Sequence, residues 1–316
     1  MSDVSLQMIR LADPVASLEA TFVPAAGMLC CSLRHRGEEL LAQNDGVDAY
    51  ARMGKTMGVP LLYPWANRLT GFRYEVAGRS VDVVRDTTLV AVDGNGLPIH
   101  GVIGGKLEFE LARVQEEPGR SVSATLRWEE TRARLFELFP FVHEVRYTAT
   151  LADGALQIAI EIEASGGDPV PVAFGFHPYL APPDRRRERW QVQLPEMRAL
   201  RLDARQIPLG PGTAQPPRRF ELDGERFDDG FDSLADGARF GVVGGGRQIT
   251  VELSEGYPCA QVYAPAASTF ICFEPMTAPA NALCSGEELP VLNAGERLRA
   301  VFSIAVADAD HPQLGE

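Results

Sequence analysis

HEVRYTATLADGALQIAIEIEA, His143 to Ala164, is the stretch that decides the fold class. Leu156, Ile158, Ile160 and Ile162 alternate with Gln157, Ala159, Glu161 and Glu163, which is the two-residue period of a strand with one buried face. Asp153-Gly154, between the two halves, has the turn chemistry of a hairpin. Working outward, comparable short runs appear at YEVAGRSVDVV, KLEFELARV, SVSATLRWEE, RQITVELS, AQVYAP and RLRAVFSIAVA, and 30 glycines and 23 prolines punctuate the chain. Few stretches sustain a helical period, so the chain is expected to be all-β, a large and mainly antiparallel sheet system. The segments PPDRRRER (182–189) and PLGPGTAQPPRR (208–219) read as polar surface loops, and GVVGGGRQ (241–248) as a hairpin turn. No repeat or long linker divides the sequence. A single domain over residues 1–316 is expected, with a flexible tail from about 309.

Lys plus Arg number 30 and Asp plus Glu 43, a net charge of −13, which argues against a nucleic-acid or anionic-membrane partner. No run approaches the roughly 20 apolar residues of a membrane helix. The opening MSDVSLQMIRLADP lacks the basic start and apolar centre of a secretory leader, so a cytoplasmic protein is expected. The five cysteines (30, 31, 259, 272 and 284) are odd in number and contain no CxxC pair. Neither a disulfide framework nor a thiolate metal site is indicated, and most should be small core residues.

Chemistry concentrates in a few segments. In FICFEPMTAPANAL (270–283) an apolar run ends in Glu274, which Pro275 biases toward an extended backbone. Desolvation there would raise the carboxyl above its reference of about 4.3 and suit it to general-base work. GVPLLYPWANRLTGF presents Asn67 and Arg68, a donor–acceptor amide beside a planar fork of donors, well matched to neighbouring sugar hydroxyls. LPIHGV places His100 before Gly101, where it can sit on a tight turn facing a cleft. AFGFHPYL holds His177 between Gly175 and Pro178, extended and close to other backbone, where an imidazole can shuttle protons. RFDDGFDSL brings Asp228 and Asp229 ahead of Phe231, without the remaining ligands of an EF-hand, and AQVYAP contributes Gln261. His35, His143 and His311 lie on charged or alternating segments and carry no expected chemistry. HExxH, GxSxG, GxxxxGK and GxGxxG elements in their proper contexts are all missing, which disfavours zinc peptidase, serine hydrolase and nucleotide chemistries.

In this order, NRLTGFRYEVAG, IHG, GFHPYL, DDGF, QVY and FEPMTAPANAL closely resemble the aldose 1-epimerase (galactose mutarotase) family, over about Phe22 to Phe302. The resemblance implies a β-supersandwich, a cytosolic enzyme acting on a monosaccharide without metal or organic cofactor, monomeric or homodimeric, and a sugar cleft across one broad sheet. It implies that Glu274 is the general base, taking the proton of the anomeric hydroxyl, and that His177 is the general acid, giving one to the ring oxygen from the opposite side of the hemiacetal. Asn67, Arg68, His100, Asp228 and Gln261 would bind the sugar, Asp228 being preferred to Asp229 because it stands three residues before Phe231. Trp65 and Tyr179 are candidates for stacking on a sugar face, with core packing as their ordinary role. The chain departs from galactose-specific members around DDGFDSL and PPDRRRER, which leaves the sugar preference open.

Three other readings compete. A hexose-6-phosphate 1-epimerase would need a basic cluster at the cleft, for which Arg185 to Arg189 is the sequence candidate. A non-catalytic sugar-binding protein of the same fold would not require both Glu274 and His177. A metal-dependent isomerase on a cupin-like barrel would use histidines close together, whereas His100 and His177 are far apart in sequence.

Overall fold

The computed structural model describes residues 6–83, 85–86, 88–102, 104–115, 120–184 and 186–309. The His143–Ala164 hairpin forms as its alternation dictates. Strands His143–Ala152 and Ala155–Glu163 pair in unbroken register, with Ile158, Ile160 and Ile162 buried on one side. It stands inside a nine-stranded antiparallel sheet whose order is Glu110–Gln115, Arg120–Trp128, His143–Ala152, Ala155–Glu163, Arg297–Asp308, Arg247–Glu255, Ala238–Gly244, Gln191–Leu194 and Arg218–Glu221. A second, eight-stranded sheet runs Pro208–Gln215, Met197–Leu202, Phe227–Asp232, Cys259–Ala264, Ile271–Met276, Gly175–Phe176 and Leu61–Leu62, with Tyr179–Leu180 also paired to Ile271–Met276. The N-terminal strands from Ile9–Asp13 to Glu38–Glu39 make a four-stranded sheet. Every ladder between the described strands is antiparallel, parallel pairing being confined to the isolated bridges Tyr63–Gly101 and Trp65–Ala173, and the longest described helix, Val47–Met53, has seven residues. The all-β expectation therefore holds.

The two large sheets pack face to face. Phe273 meets Phe240 with ring centroids 5.3 Å apart, and Phe176 meets Phe302 at 4.9 Å, each pair joining one sheet to the other. Because side chains alternate along a strand, the residues that flank Phe273 turn the other way, and this puts Glu274 on the face away from the sandwich core.

Some segments differ from expectation. PLGPGTAQPPRR is mostly strand, Pro208–Gln215 followed by the start of Arg218–Glu221. Both strands lie at sheet edges, and the Pro208–Gln215 ladder carries two register shifts, which is where proline and glycine are tolerated because no second neighbour needs the missing N–H. In KLEFELARV only the second half is strand, since Gly104–Lys106 forms a 3-10 turn. PPDRRRER carries a 3-10 turn, Arg187–Arg189. The GVVGGGRQ turn falls at Gly245 and Gly246, both with positive φ. Cys30, Cys31, Cys259 and Cys272 are buried and free, and Cys284 is half-buried. His143 is a core residue whose Nδ1 bonds the Phe141 carbonyl while Nε2 meets the Tyr63 hydroxyl. His311 and the tail from 310 lie outside the described residues, as does Arg185. No described helix is long and apolar enough to cross a membrane.

Candidate active site

A cleft of about 220 Å³ opens on the outer face of the eight-stranded sheet, lined by Asn67, Arg68, Ile99, His100, His177, Tyr179, Asp228, Gln261, Tyr263 and Glu274. All seven residues singled out in the sequence meet there, although they come from segments as far apart as 67 and 274. A trough of about 210 Å³ crosses the nine-stranded sheet near Gln193, Arg219 and Gln248, but its lining has no carboxylate or imidazole.

The floor is built by strand register. Gln261 is the direct cross-strand partner of Glu274, and Gly230 is the partner of Gln261 on the next strand. Asp228, two residues before Gly230, shares its face. A side chain at 230 would crowd the Gln261 amide, so glycine leaves room for Gln261 Nε2 to reach Asp228 Oδ1 at 2.8 Å. Asp229 faces the other way and does not line the cleft.

The wall is built by three segments held against that floor, the bend at Asn67 and Arg68, the short strand Pro98–Val102 that carries His100, and the stretch at His177. Gly175 permits the close approach that brings the His177 strand to the Glu274 strand: a β-carbon there would stand 2.6 Å from the Pro275 carbonyl oxygen. His177 donates its backbone N–H to Pro60, and its Nε2 stands 3.3 Å from Glu274 Oε1. Opposite, Asn67 (φ 57°) and His100 (φ 62°) both occupy the left-handed region. They hold one another there. The His100 N–H donates to the Asn67 carbonyl at 3.0 Å, and the Asn67 N–H donates to His100 Nδ1 at 3.3 Å. Two strained residues locked by reciprocal bonds at one cleft suit a site that needs fixed geometry. The guanidinium of Arg68 then fans out, with Nε on Asp93 (2.8 Å), Nη1 on Asn67 Oδ1 (3.1 Å) and Nη2 on Asp228 (3.5 Å).

Burial sets the electrostatics. The Glu274 side chain is 2% exposed and that of His177 is 6% exposed. Desolvation pushes Glu274 well above its ordinary value, Asp228 adding to the rise and Arg68 opposing it. Desolvation pushes His177 well below its ordinary value, with His100 adding to the fall. His100 is lowered to about 3 by burial and by Arg68. Burial also works against the Asp93 carboxylate, but the Leu97 N–H, Arg68 and the Asn95 N–H outweigh it and hold this group below the usual range. Both shifts favour the neutral forms, a protonated carboxyl beside an uncharged imidazole. Transfer of the carboxyl proton across 3.3 Å gives carboxylate and imidazolium.

Several expectations need correction. Glu274 and His177 are side by side, not on opposite sides of a substrate; the reason is that their strands are sheet neighbours. Trp65 is core, and the face of Tyr179 is covered by His177, whose ring lies parallel to it at 4.3 Å. The aromatic left facing the cleft is Tyr263, on the floor strand of Gln261 and edge-on to His177 at 5.8 Å. His100 and His177, far apart in sequence, have ring centroids 5.5 Å apart. Even so, the described residues contain no group of three or more His, Cys, Asp or Glu side chains placed to hold a metal ion, and His100 Nδ1 already accepts from Asn67. Arg187 donates to the carbonyls of Asp223 and Glu225, and Arg186 pairs with Asp184, so neither lines the cleft. Asp93 and Tyr263 join the site without any sequence expectation for them. The turn-forming run DGNG ahead of His100 was the available signal for Asp93.

A family model described as aldose 1-epimerase matches residues 17–305. Among solved structures, a Synechocystis sp. PCC 6803 protein has a TM-score of 0.77 at 21% identity, over 98% of this chain and 100% of its own. A galactose mutarotase-like protein from Clostridium acetobutylicum has a TM-score of 0.78 at 14% identity, over 96% and 99%. A C. elegans homologue of aldose epimerases has 0.75 at 16%, over 97% and 100%. These likenesses extend to the fold. No curated protein sequence matches the chain.

Proposed function

The chain belongs to the aldose 1-epimerase family, and on that premise we propose that it is a mutarotase, interconverting the α and β anomers of a free aldohexose. The observation that carries this reading is the buried acid–base pair, Glu274 Oε1 and His177 Nε2 at 3.3 Å, in a cleft of about 220 Å³ lined with side chains able to bind hydroxyls.

The anomeric hydroxyl and the ring oxygen are both bonded to the anomeric carbon, so two adjacent protein groups can serve both at once. When a closed ring binds, the pair adopts its carboxylate–imidazolium form. Glu274 removes the proton from the anomeric hydroxyl, the bond between the anomeric carbon and the ring oxygen breaks, and the ring oxygen takes the proton of His177. This leaves an open-chain aldehyde and a neutral pair. That neutral pair is the form burial favours, so the desolvated site matches the intermediate better than the closed sugar. Rotation about the bond to the next carbon turns the aldehyde over, and the same transfers in reverse close the ring on the other face. Each transfer contributes about 10²- to 10⁴-fold. Arg68, Asn67, His100, Asp228 and Gln261 hold the remaining hydroxyls so that only the reacting end rotates. The reaction is proton transfer throughout and calls on no metal or organic cofactor.

An unphosphorylated substrate is favoured over a hexose 6-phosphate because among the described residues Arg68 is the one Lys or Arg in the cleft lining, and it already bonds Asp93 and faces Asp228. Polarimetry on freshly dissolved α-glucose and α-galactose tests the proposal. Catalysed relaxation of optical rotation supports it, and a spontaneous rate unchanged by the protein would reduce the chain to a sugar binder. Faster turnover of glucose 6-phosphate than of glucose would favour the phosphorylated substrate.

A further inference from the structure

Resting on the reading of Glu274 and His177 as the proton-transferring pair, we propose that Tyr179 is a positioning residue for the reaction: its ring fixes the plane of the His177 ring and presents a π face to its protonated form.

The geometry begins in the sequence. Pro178 keeps His177 extended, and in an extended chain residues i and i+2 share a face, so His177 and Tyr179 stack. Their rings are parallel within 5° at 4.3 Å. The Tyr179 hydroxyl lies 3.4 Å from His177 Nε2. In a parallel stack, however, the N–H or lone pair of that nitrogen lies in the ring plane and points past the hydroxyl, so this is a face contact and no hydrogen bond. The partner of the hydroxyl is Thr56 Oγ1 at 2.6 Å, and Thr56 is held in turn by Asn44 Nδ2 on its carbonyl at 2.8 Å. The tyrosine backbone is tied on both sides, its N–H to Gly58 and its carbonyl to Ala42, and Phe270 meets its ring edge-on at 4.9 Å. Tyr179 therefore cannot turn to meet a sugar.

An imidazolium in this site has lost its water. The groups around it are Glu274 on the neighbouring strand, His100 and Arg68 from the facing wall, Asp228 and Tyr263 from the floor strands, and Cys272 behind Tyr179. His100 and Arg68 oppose the charge. A preset aromatic face favours it without reorganisation, and the same stack keeps Nε2 aimed at Glu274.

Leucine at 179 keeps the site covered and apolar but removes the π face. Tyr179→Leu is expected to lose about 3- to 30-fold in kcat with KM little changed, and the His177 ring, followed by NMR without sugar, should titrate at lower pH than in the parent protein. Tyr179→Phe restores the face and should recover most of both losses. A Leu variant whose His177 titration stays in place or moves to higher pH would overturn the proposal, as would a Phe variant as impaired as the Leu variant, which would assign the effect to the hydroxyl. Because the titration needs no substrate, a protein that turned over no sugar would sink the mutarotase reading while the stack was still tested.

Discussion

Replacing Glu274 by glutamine keeps the shape of the side chain and removes its titration, and this has two consequences of opposite sign. Turnover should fall by about 10²- to 10⁴-fold, which is about 2.7 to 5.5 kcal/mol of transition-state stabilisation. Stability should rise. In the unfolded chain the carboxyl titrates near 4.5 and the imidazole near 6.5, while in the fold burial raises the first and lowers the second. Between those two pH values the unfolded chain carries one proton on this pair, on the imidazole, and a native pair shifted in these directions past that window also carries one, on the carboxyl. The pair therefore contributes no slope there. Above 6.5 the unfolded chain has none and the native state still has one, so stability falls as pH rises until the raised Glu274 value is passed. The glutamine variant keeps only the His177 contribution, gaining stability up to 6.5 and levelling off. The difference between variant and parent opens at about 1.4 kcal/mol per pH unit from near 4.5 upward. Urea unfolding of both proteins at pH 5, 6 and 7, with polarimetric turnover on the same samples, measures it. A stability difference independent of pH would mean that the carboxyl is not shifted, and near-normal turnover would place the base elsewhere.

The same shifts give the pH profile of kcat its form. Activity needs one proton on the pair, so the acid limb should lie well below 6.5 and the alkaline limb well above 4.5, both belonging to the pair rather than to one residue; an acid limb centred at the ordinary histidine value would contradict the burial argument. Arg68→Lys cannot reach Asp93, Asn67 and Asp228 at once, and kcat/KM should drop about 10- to 100-fold in initial-rate measurements. Gly101→Ala should destabilise the protein by about 2 kcal/mol or more in thermal melts, since φ at 101 is 65° and a β-carbon would collide with the Tyr63 carbonyl.

Much of the architecture was legible from alternation alone. The isoleucines at 158, 160 and 162 could be buried together only in a strand, and Asp153-Gly154 could only turn it. Where reading failed, at Pro208–Gln215, local chemistry said loop, but an edge position excused the prolines and glycines. Edge position is a property of the assembled sheet. The site residues were legible as types, since a carboxylate before proline, a histidine before proline and an Asn-Arg pair are unusual among apolar neighbours. Their mutual arrangement was not, and neither were Asp93 and Tyr263, which have ordinary turn and strand contexts until Arg68 and His177 are beside them.

By itself, then, the sequence determined which segments are strands and which side chains are chemically equipped, because period and residue type are local. The tertiary structure alone decided that Glu274 and His177 are neighbours rather than facing partners, that the Tyr179 ring stacks on the imidazole, and that burial shifts the two titrating groups toward their neutral forms. Each of those facts depends on strand order and on loss of water, and both arise only when distant parts of the chain close over one another.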